Sequence, residues 1–167
     1  NLAITTSKRN NAIQIWNLGA MEKTDSKFQP LMMKTSPRYF DVSKTGETAV
    51  VRGTVANDVV VLDLINGRIK VTISEAYETM RPVISPDGAY AVLREYDGQN
   101  VIKIWSTETG KLLNSLPLSS LMVKHYKCSN SRVLVKSDTE GGSNFSFWNI
   151  KTGENLHHFH FNHLNIG

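Results

Sequence analysis

Three features of the sequence predict an all-β chain. A short apolar segment recurs four times, a turn motif recurs between these segments, and sustained helical periodicity is absent. The four segments are Ile13-Gln14-Ile15-Trp16-Asn17-Leu18, Val59-Val60-Val61-Leu62-Asp63-Leu64, Val101-Ile102-Lys103-Ile104-Trp105-Ser106 and Phe145-Ser146-Phe147-Trp148-Asn149-Ile150. With Trp16, Leu62, Trp105 and Trp148 taken as equivalent, the spacings are 46, 43 and 43 residues. The last three segments run into similar turns: Ile65-Asn66-Gly67-Arg68, Thr107-Glu108-Thr109-Gly110-Lys111 and Lys151-Thr152-Gly153-Glu154. Each turn is followed by another short apolar run, at 69–73, 112–116 and 156–161.

The second motif lies upstream. Val42-Ser43-Lys44-Thr45-Gly46-Glu47-Thr48-Ala49-Val50 matches Ile84-Ser85-Pro86-Asp87-Gly88-Ala89-Tyr90-Ala91-Val92 at a shift of 42 residues. A further shift of 43 places Cys128 where Ser85 stands and gives a degenerate third copy, Cys128-Ser129-Asn130-Ser131-Arg132-Val133-Leu134-Val135. Pro86 has its φ already set for a turn, and Gly46 and Gly88 suit a position of positive φ. Each copy therefore reads as a hairpin between two strands. One unit is strand, turn, strand, loop, strand, turn, strand, with strands of about five residues rich in Val, Ile and aromatics. Four strands at this period point to blades of a β-propeller rather than to a helical solenoid.

The units fall at about 1–34, 35–78, 79–121 and 122–164. The first opens at 2–6 in the place of a second strand, so the expected architecture is about four blades, three complete and one lacking its first strand. The total is about 15 strands. Residues 72–81 are the one place where a short helical turn is expected. We expect a stretch of a larger ring, its open faces covered by the remaining blades of a parent propeller or by self-association.

The 167-residue chain is 40% hydrophobic and 20% charged, which excludes wholesale disorder. No apolar run approaches the roughly 20 residues of a membrane span, so no membrane partner is expected. The chain opens on Asn1 without a basic and apolar leader, and a processed or excised chain with no signal peptide is expected. A single cysteine, Cys128, excludes an internal disulfide framework and a cysteine zinc site, and fits a reducing, cytoplasmic setting. Nineteen basic residues against 15 acidic ones give +4, too small and scattered an excess to argue for nucleic acid.

These segments resemble divergent WD-repeat blades over essentially the whole chain. Trp16-Asn17, Leu62-Asp63, Trp105-Ser106 and Trp148-Asn149 occupy the place of the family's Trp-Asp pair, and none matches it fully. The family's opening Gly-His pair is absent, so the resemblance implies apolar packing in place of a complete Asp-His-Ser-Trp network. The run from Val59 to Ile69, together with Ser85-Pro86-Asp87-Gly88, is also similar to bacterial surface-layer or enzyme-associated propellers. The Ile-Trp-Asn-Leu strand type favours the WD class. Large multidomain proteins with a nucleotide-binding NACHT module are the parent this resemblance suggests. The expected function is a non-catalytic protein-interaction platform, a scaffold or regulatory sensor module of a larger cytoplasmic protein. The alternatives are the propeller part of a multidomain enzyme gating an active site elsewhere, or RNA binding through a basic rim.

No residue is assigned to catalysis, to a cofactor or to a metal. The tryptophans repeat at the blade period, as packing between blades requires. His158 and His160 share one strand face beside His157 and His163, but no carboxylate lies between them, and an outer half-exposed strand explains them. No Gly-x-Ser-x-Gly elbow occurs, and Gly141-Gly142-Ser143 lacks the rest of a phosphate loop and reads as a plain turn. Cys128 is expected to be a packed thiol. Glu95 with Asp97, and Asp138 with Glu140, are expected on solvated loops. The binding candidates lie four residues before each turn motif, at Tyr39, Arg81 and Lys124, with Arg38, His125 and Tyr126 beside them. Arg and aromatic residues are frequent interface anchors, and a basic aromatic rim suits an acidic peptide segment or a partner's acidic face.

Overall fold

The computed structural model describes residues 2–17, 30–54, 59–73, 81–96, 100–118 and 123–162. They form fifteen strands in four antiparallel sheets, each in chain order. The first sheet holds β1 (Leu2–Ser7), β2 (Ala12–Asn17) and β3 (Leu31–Met32). The second holds β4 (Pro37–Val42), β5 (Thr48–Gly53), β6 (Val59–Asp63) and β7 (Arg68–Ile73). The third holds β8 (Val83–Ile84), β9 (Tyr90–Tyr96), β10 (Asn100–Ser106) and β11 (Leu112–Pro117). The fourth holds β12 (Val123–Cys128), β13 (Arg132–Thr139), β14 (Gly142–Asn149) and β15 (Asn155–Asn162).

The turn chemistry places the hairpins. Ser43 donates its N–H to the Thr48 carbonyl at 2.9 Å, and Ser85 donates to Tyr90 at 2.9 Å. Each serine hydroxyl accepts the same partner's N–H, at 3.2 and 2.9 Å, which doubles the closure. Gly46 and Gly88 sit at φ +75° and +76°, where a side chain would be strained. In the fourth sheet the residue that closes the hairpin is Ser129, whose N–H donates to Arg132 at 2.8 Å. The alignment of Cys128 with Ser85 is therefore one residue out. Cys128 pairs with Val133 where Val42 pairs with Ala49, so this hairpin is two residues shorter.

The sheets pack face to face in sequence, and the central strands are apolar on both faces because both are covered. Ile13 and Ile15 of the first sheet meet Val51, Val60 and Leu62 of the second. Val50, Val59 and Val61 of the second meet Ala91, Leu93 and Trp105 of the third. Val92, Ile102 and Ile104 of the third meet Val133, Val135 and Ile150 of the fourth. Alternate residues of one strand thus serve two cores, which explains the continuous run Val59-Val60-Val61-Leu62. A register shift falls just before Leu62, Trp105 and Trp148 in the three four-stranded sheets, a repeated bulge that re-aims the strand end. This arrangement is consistent with a propeller-like fold.

Two local expectations change. Thr72 and Ile73 belong to β7 instead of a helical turn, 74–80 lie outside the described residues, and no helix occurs among those described. β8 is only two residues long, because Pro82 and Pro86 flank it and neither can donate to a ladder. Among the described residues no helix is long and apolar enough to cross a membrane.

Candidate functional site where three edge strands converge

β4, β8 and β12 are the first strands of their sheets, and they draw together at one place. Polar contacts fix them there. The Ile84 N–H donates to Asp41 Oδ2 at 2.9 Å, joining β8 to β4. The Lys44 N–H donates to the Pro86 carbonyl at 2.9 Å, and the Asp87 N–H donates to Asn130 Oδ1 at 3.0 Å. These tie the three hairpins side by side.

The convergence leaves an open cavity of about 460 Å³. Phe40, Pro82, Val83 and Ile84 give it apolar walls, and Arg38, Tyr39, Asp41, Arg81, Lys127 and Cys128 complete the lining. Arg38 and Arg81 both lie over the Tyr39 ring, with guanidinium carbons 5.1 and 5.3 Å from its centroid. Neither arginine forms an ion pair with a described carboxylate. Asp41, the one acid among the described lining residues, is engaged by the Ile84 N–H and by the Val42 N–H at 3.1 Å. The Tyr126 hydroxyl donates to the Arg81 main-chain carbonyl, so β12 holds the backbone that carries Arg81.

Neither Cys128 nor Tyr126 is activated as a nucleophile. Burial pushes the Cys128 thiol up to about 12, helped by the Asp41 and Asp87 carboxylates. Burial also pushes the Tyr126 phenol up to about 12. Both groups are neutral at physiological pH.

Of the six residues singled out, four form one cluster: Arg38, Tyr39, Arg81 and Tyr126. Tyr39, His125 and Tyr126 lie within strands, while Arg81 precedes β8. His125 is exposed on β12. Lys124 is the extra residue at the register shift of β12, as Arg38 is in β4, and its side chain lies outside the described residues. With the fourth hairpin closed at Ser129, His125 rather than Lys124 is the equivalent of Tyr39 and Arg81. Phe40, Lys127 and Cys128 were not anticipated as lining residues. Their edge-strand positions were legible, but the approach of β8 to both neighbours was not.

Other expectations divide. Trp105 is 2% exposed between the second and third sheets, and Trp148 packs partly buried on the third. Their indole N–H groups have no hydrogen-bond partner, as packing without a polar network implies. Trp16 is different. It is 46% exposed and its N–H donates to Thr5 Oγ1 at 2.8 Å, because no described sheet lies on its side of the first sheet. Glu95 is not on a solvated loop. It lies in β9, is 1% exposed and pairs with Lys103 Nζ at 2.8 Å, while Asp97 lies outside the described residues. Asp138 is in β13, where it accepts the Ser143 hydroxyl at 2.8 Å. Glu140 and Gly141 form the turn between β13 and β14, and Gly142 opens β14. His160 sits between Asn144 and Asn162, with Nδ1 2.7 Å from one side-chain oxygen and Nε2 2.8 Å from the other. His163 lies outside the described residues, among which no group of three or more potential ligands for a metal ion occurs.

No family model matches the chain, and no curated protein matches it. Solved structures do. The chain is similar to Kuenenia stuttgartiensis hydrazine synthase, with a TM-score of 0.64 and 17% identity over 93% of this chain and 44% of that one. It thus spans less than half of that chain. At such identity the likeness shows the fold alone. As many as 577 solved chains match, so architecture is shared widely and no single activity is indicated.

Proposed function

We propose that the chain is an arc of a WD-type β-propeller and acts as a non-catalytic interaction platform, a scaffold or regulatory sensor module of a larger cytoplasmic protein. The WD assignment draws support from the four-unit repeat, Trp105 and Trp148 at sheet interfaces and the bulge before each of them. The binding surface is the converging edge, and its ligand is an acidic peptide segment.

One observation carries this reading: two guanidinium groups share the Tyr39 ring beside an open cavity, with no described carboxylate paired to either. Guanidinium groups stacked on an aromatic face keep their N–H forks available for carboxylates. The apolar walls would take a neighbouring hydrophobic side chain, as buried anchors do in interface cores.

The test is Arg81→Ala. Tyr126 bonds the Arg81 carbonyl and not its side chain, so the variant keeps that tie and should fold normally. Binding of a Glu-rich probe peptide with an aromatic residue should weaken about 10-fold or more, equal to about 1.4 kcal/mol. Unchanged affinity would remove the assignment. Tighter, strongly salt-dependent binding of single-stranded RNA through the same arginine would replace it with nucleic-acid recognition.

A further inference from the structure

The third sheet breaks a pattern that the second and fourth keep. In the second sheet Tyr39 pairs with Arg52 across the first two strands, and in the fourth His125 pairs with Lys136. Arg81 and Arg94 are the equivalent residues of the third. The Ser85 N–H donates to the Tyr90 carbonyl at 2.9 Å, and Val83 pairs with Val92. By antiparallel alternation the next hydrogen-bonded pair is Arg81 with Arg94. The ladder begins only at Val83, however, and Arg81 lies outside it.

The Tyr126 hydroxyl stands in the place of that pair. It donates to the Arg81 main-chain carbonyl and takes a hydrogen bond from the main chain of Arg94. A side chain of the fourth sheet thus keeps two main-chain segments of the third one oxygen atom further apart than a ladder bond allows. Burial pushes this phenol up to about 12, so it holds its proton and can donate throughout the physiological range. Arg94 in turn seats β12. Its Nη1 donates to the Val123 carbonyl at 2.9 Å, and its Nε and Nη2 share Asn100 Oδ1 at 3.2 and 2.8 Å. The consequence falls on the Arg81 side chain. Its main chain is held off β9, and its guanidinium carbon lies 5.3 Å from the centroid of the Tyr39 ring on β4.

We infer that Tyr126 is a positioning residue of the arginine site: its hydroxyl replaces the Arg81–Arg94 ladder pair and so sets the Arg81 guanidinium over Tyr39, where it meets an acidic ligand. Tyr126 acts through Arg81. Without the hydroxyl, the Arg94 N–H and the Arg81 carbonyl pair directly, which draws Arg81 onto β9 and away from the Tyr39 ring. The ligand in this inference rests on the acidic-peptide reading above, but the placement of Arg81 does not, and the two are read separately.

Tyr126→Phe removes one oxygen and keeps the ring that packs on the core between the third and fourth sheets. Its affinity for the Glu-rich probe peptide should fall about 5-fold, the factor that one hydrogen bond of ordinary strength supplies. In an Arg81→Ala background the same substitution should change affinity by less than about 2-fold, because the group it positions is gone. Placement is read without ligand from the Arg81 Nε–H proton resonance, identified by its loss in Arg81→Ala. The Tyr39 ring current displaces that resonance upfield, and in Tyr126→Phe it should move to the position of a free arginine side chain. If Tyr126→Phe fails a circular-dichroism check of folding, Arg94→Lys takes its place. That variant loses the Val123 tie and should move the same resonance. An unmoved resonance in a folded variant overturns the inference. So does an equal loss of affinity in both backgrounds, or parental affinity in Tyr126→Phe. A parent chain that binds no peptide, with the resonance still moving, removes the acidic-peptide assignment and leaves the positioning of Arg81 standing.

Discussion

Trp16 and Trp105 occupy the same place in the repeat, on the same strand and facing the same way, yet one is half in water and the other is among the most buried side chains. Around Trp105 lie Val50, Val59, Val61 and Ile73 of the preceding sheet. Around Trp16 the described residues supply Thr5, whose hydroxyl accepts the indole N–H. The comparison separates two things that a repeated motif runs together. The strand decides which way a side chain points, and the neighbouring sheet decides whether that direction is an interior.

Substitution of the two tryptophans is the strongest way to break the comparison. Trp105→Ala should cost about 3–5 kcal/mol in urea unfolding, for lost burial and the cavity left behind. Trp16→Ala should cost less than about 1 kcal/mol. Equal losses would mean that the first sheet is covered after all.

A second contrast sharpens it with charge. Lys103 pairs with the buried Glu95, whereas the Lys70–Glu108 pair joins the second and third sheets at their surface. Lys103→Ala removes an ion-pair partner from a buried carboxylate and should cost about 3 kcal/mol. Replacing both members, Glu95→Leu with Lys103→Met, should recover most of that loss. Glu108→Ala should cost less than about 1 kcal/mol, as exposed pairs do. Double-mutant cycles on both pairs give the coupling energies directly.

The smallest contrast is between two glycines of the same backbone conformation. Gly110 is at φ +67°, and a Cβ there would stand 2.5 Å from Val71 Cγ2 of the neighbouring sheet. Gly46 is at φ +75° with nothing within 4 Å. Gly46→Ala should cost about 1 kcal/mol of backbone strain. Gly110→Ala should cost about 2 kcal/mol, because crowding adds to strain. Matched thermal shifts would show that Val71 yields freely and that packing between these sheets is loose.

Much of the strand layout was legible. The Ser-x-x-Gly turns, the third-strand apolar segments and the glycine turns after them each obey local rules, and the strands stand where those rules put them. The errors came where a local rule met a tertiary one. The repeat period aligns Cys128 with Ser85, but the shorter hairpin at Ser129 moves the match by one residue and exchanges Lys124 for His125. Glu95 looked like a loop acid by composition, and Lys103 across the strand pair brought it inside. At the candidate site, Arg38, Tyr39, Arg81 and Tyr126 were found by their offset from the turn motif. The stacking of both arginines on one ring was not legible, since it depends on how closely β4 and β8 approach.

The sequence by itself determined the four-unit repeat, the strand order within each sheet and the face on which each apolar side chain lies, because turn stereochemistry and the two-residue alternation of a strand act over a few neighbouring residues. Only the tertiary structure decided which faces are interiors, which edge strands meet and where charge is buried. Those outcomes depend on the separation of sheets whose contacting residues lie about forty positions apart, and no local preference fixes such a distance.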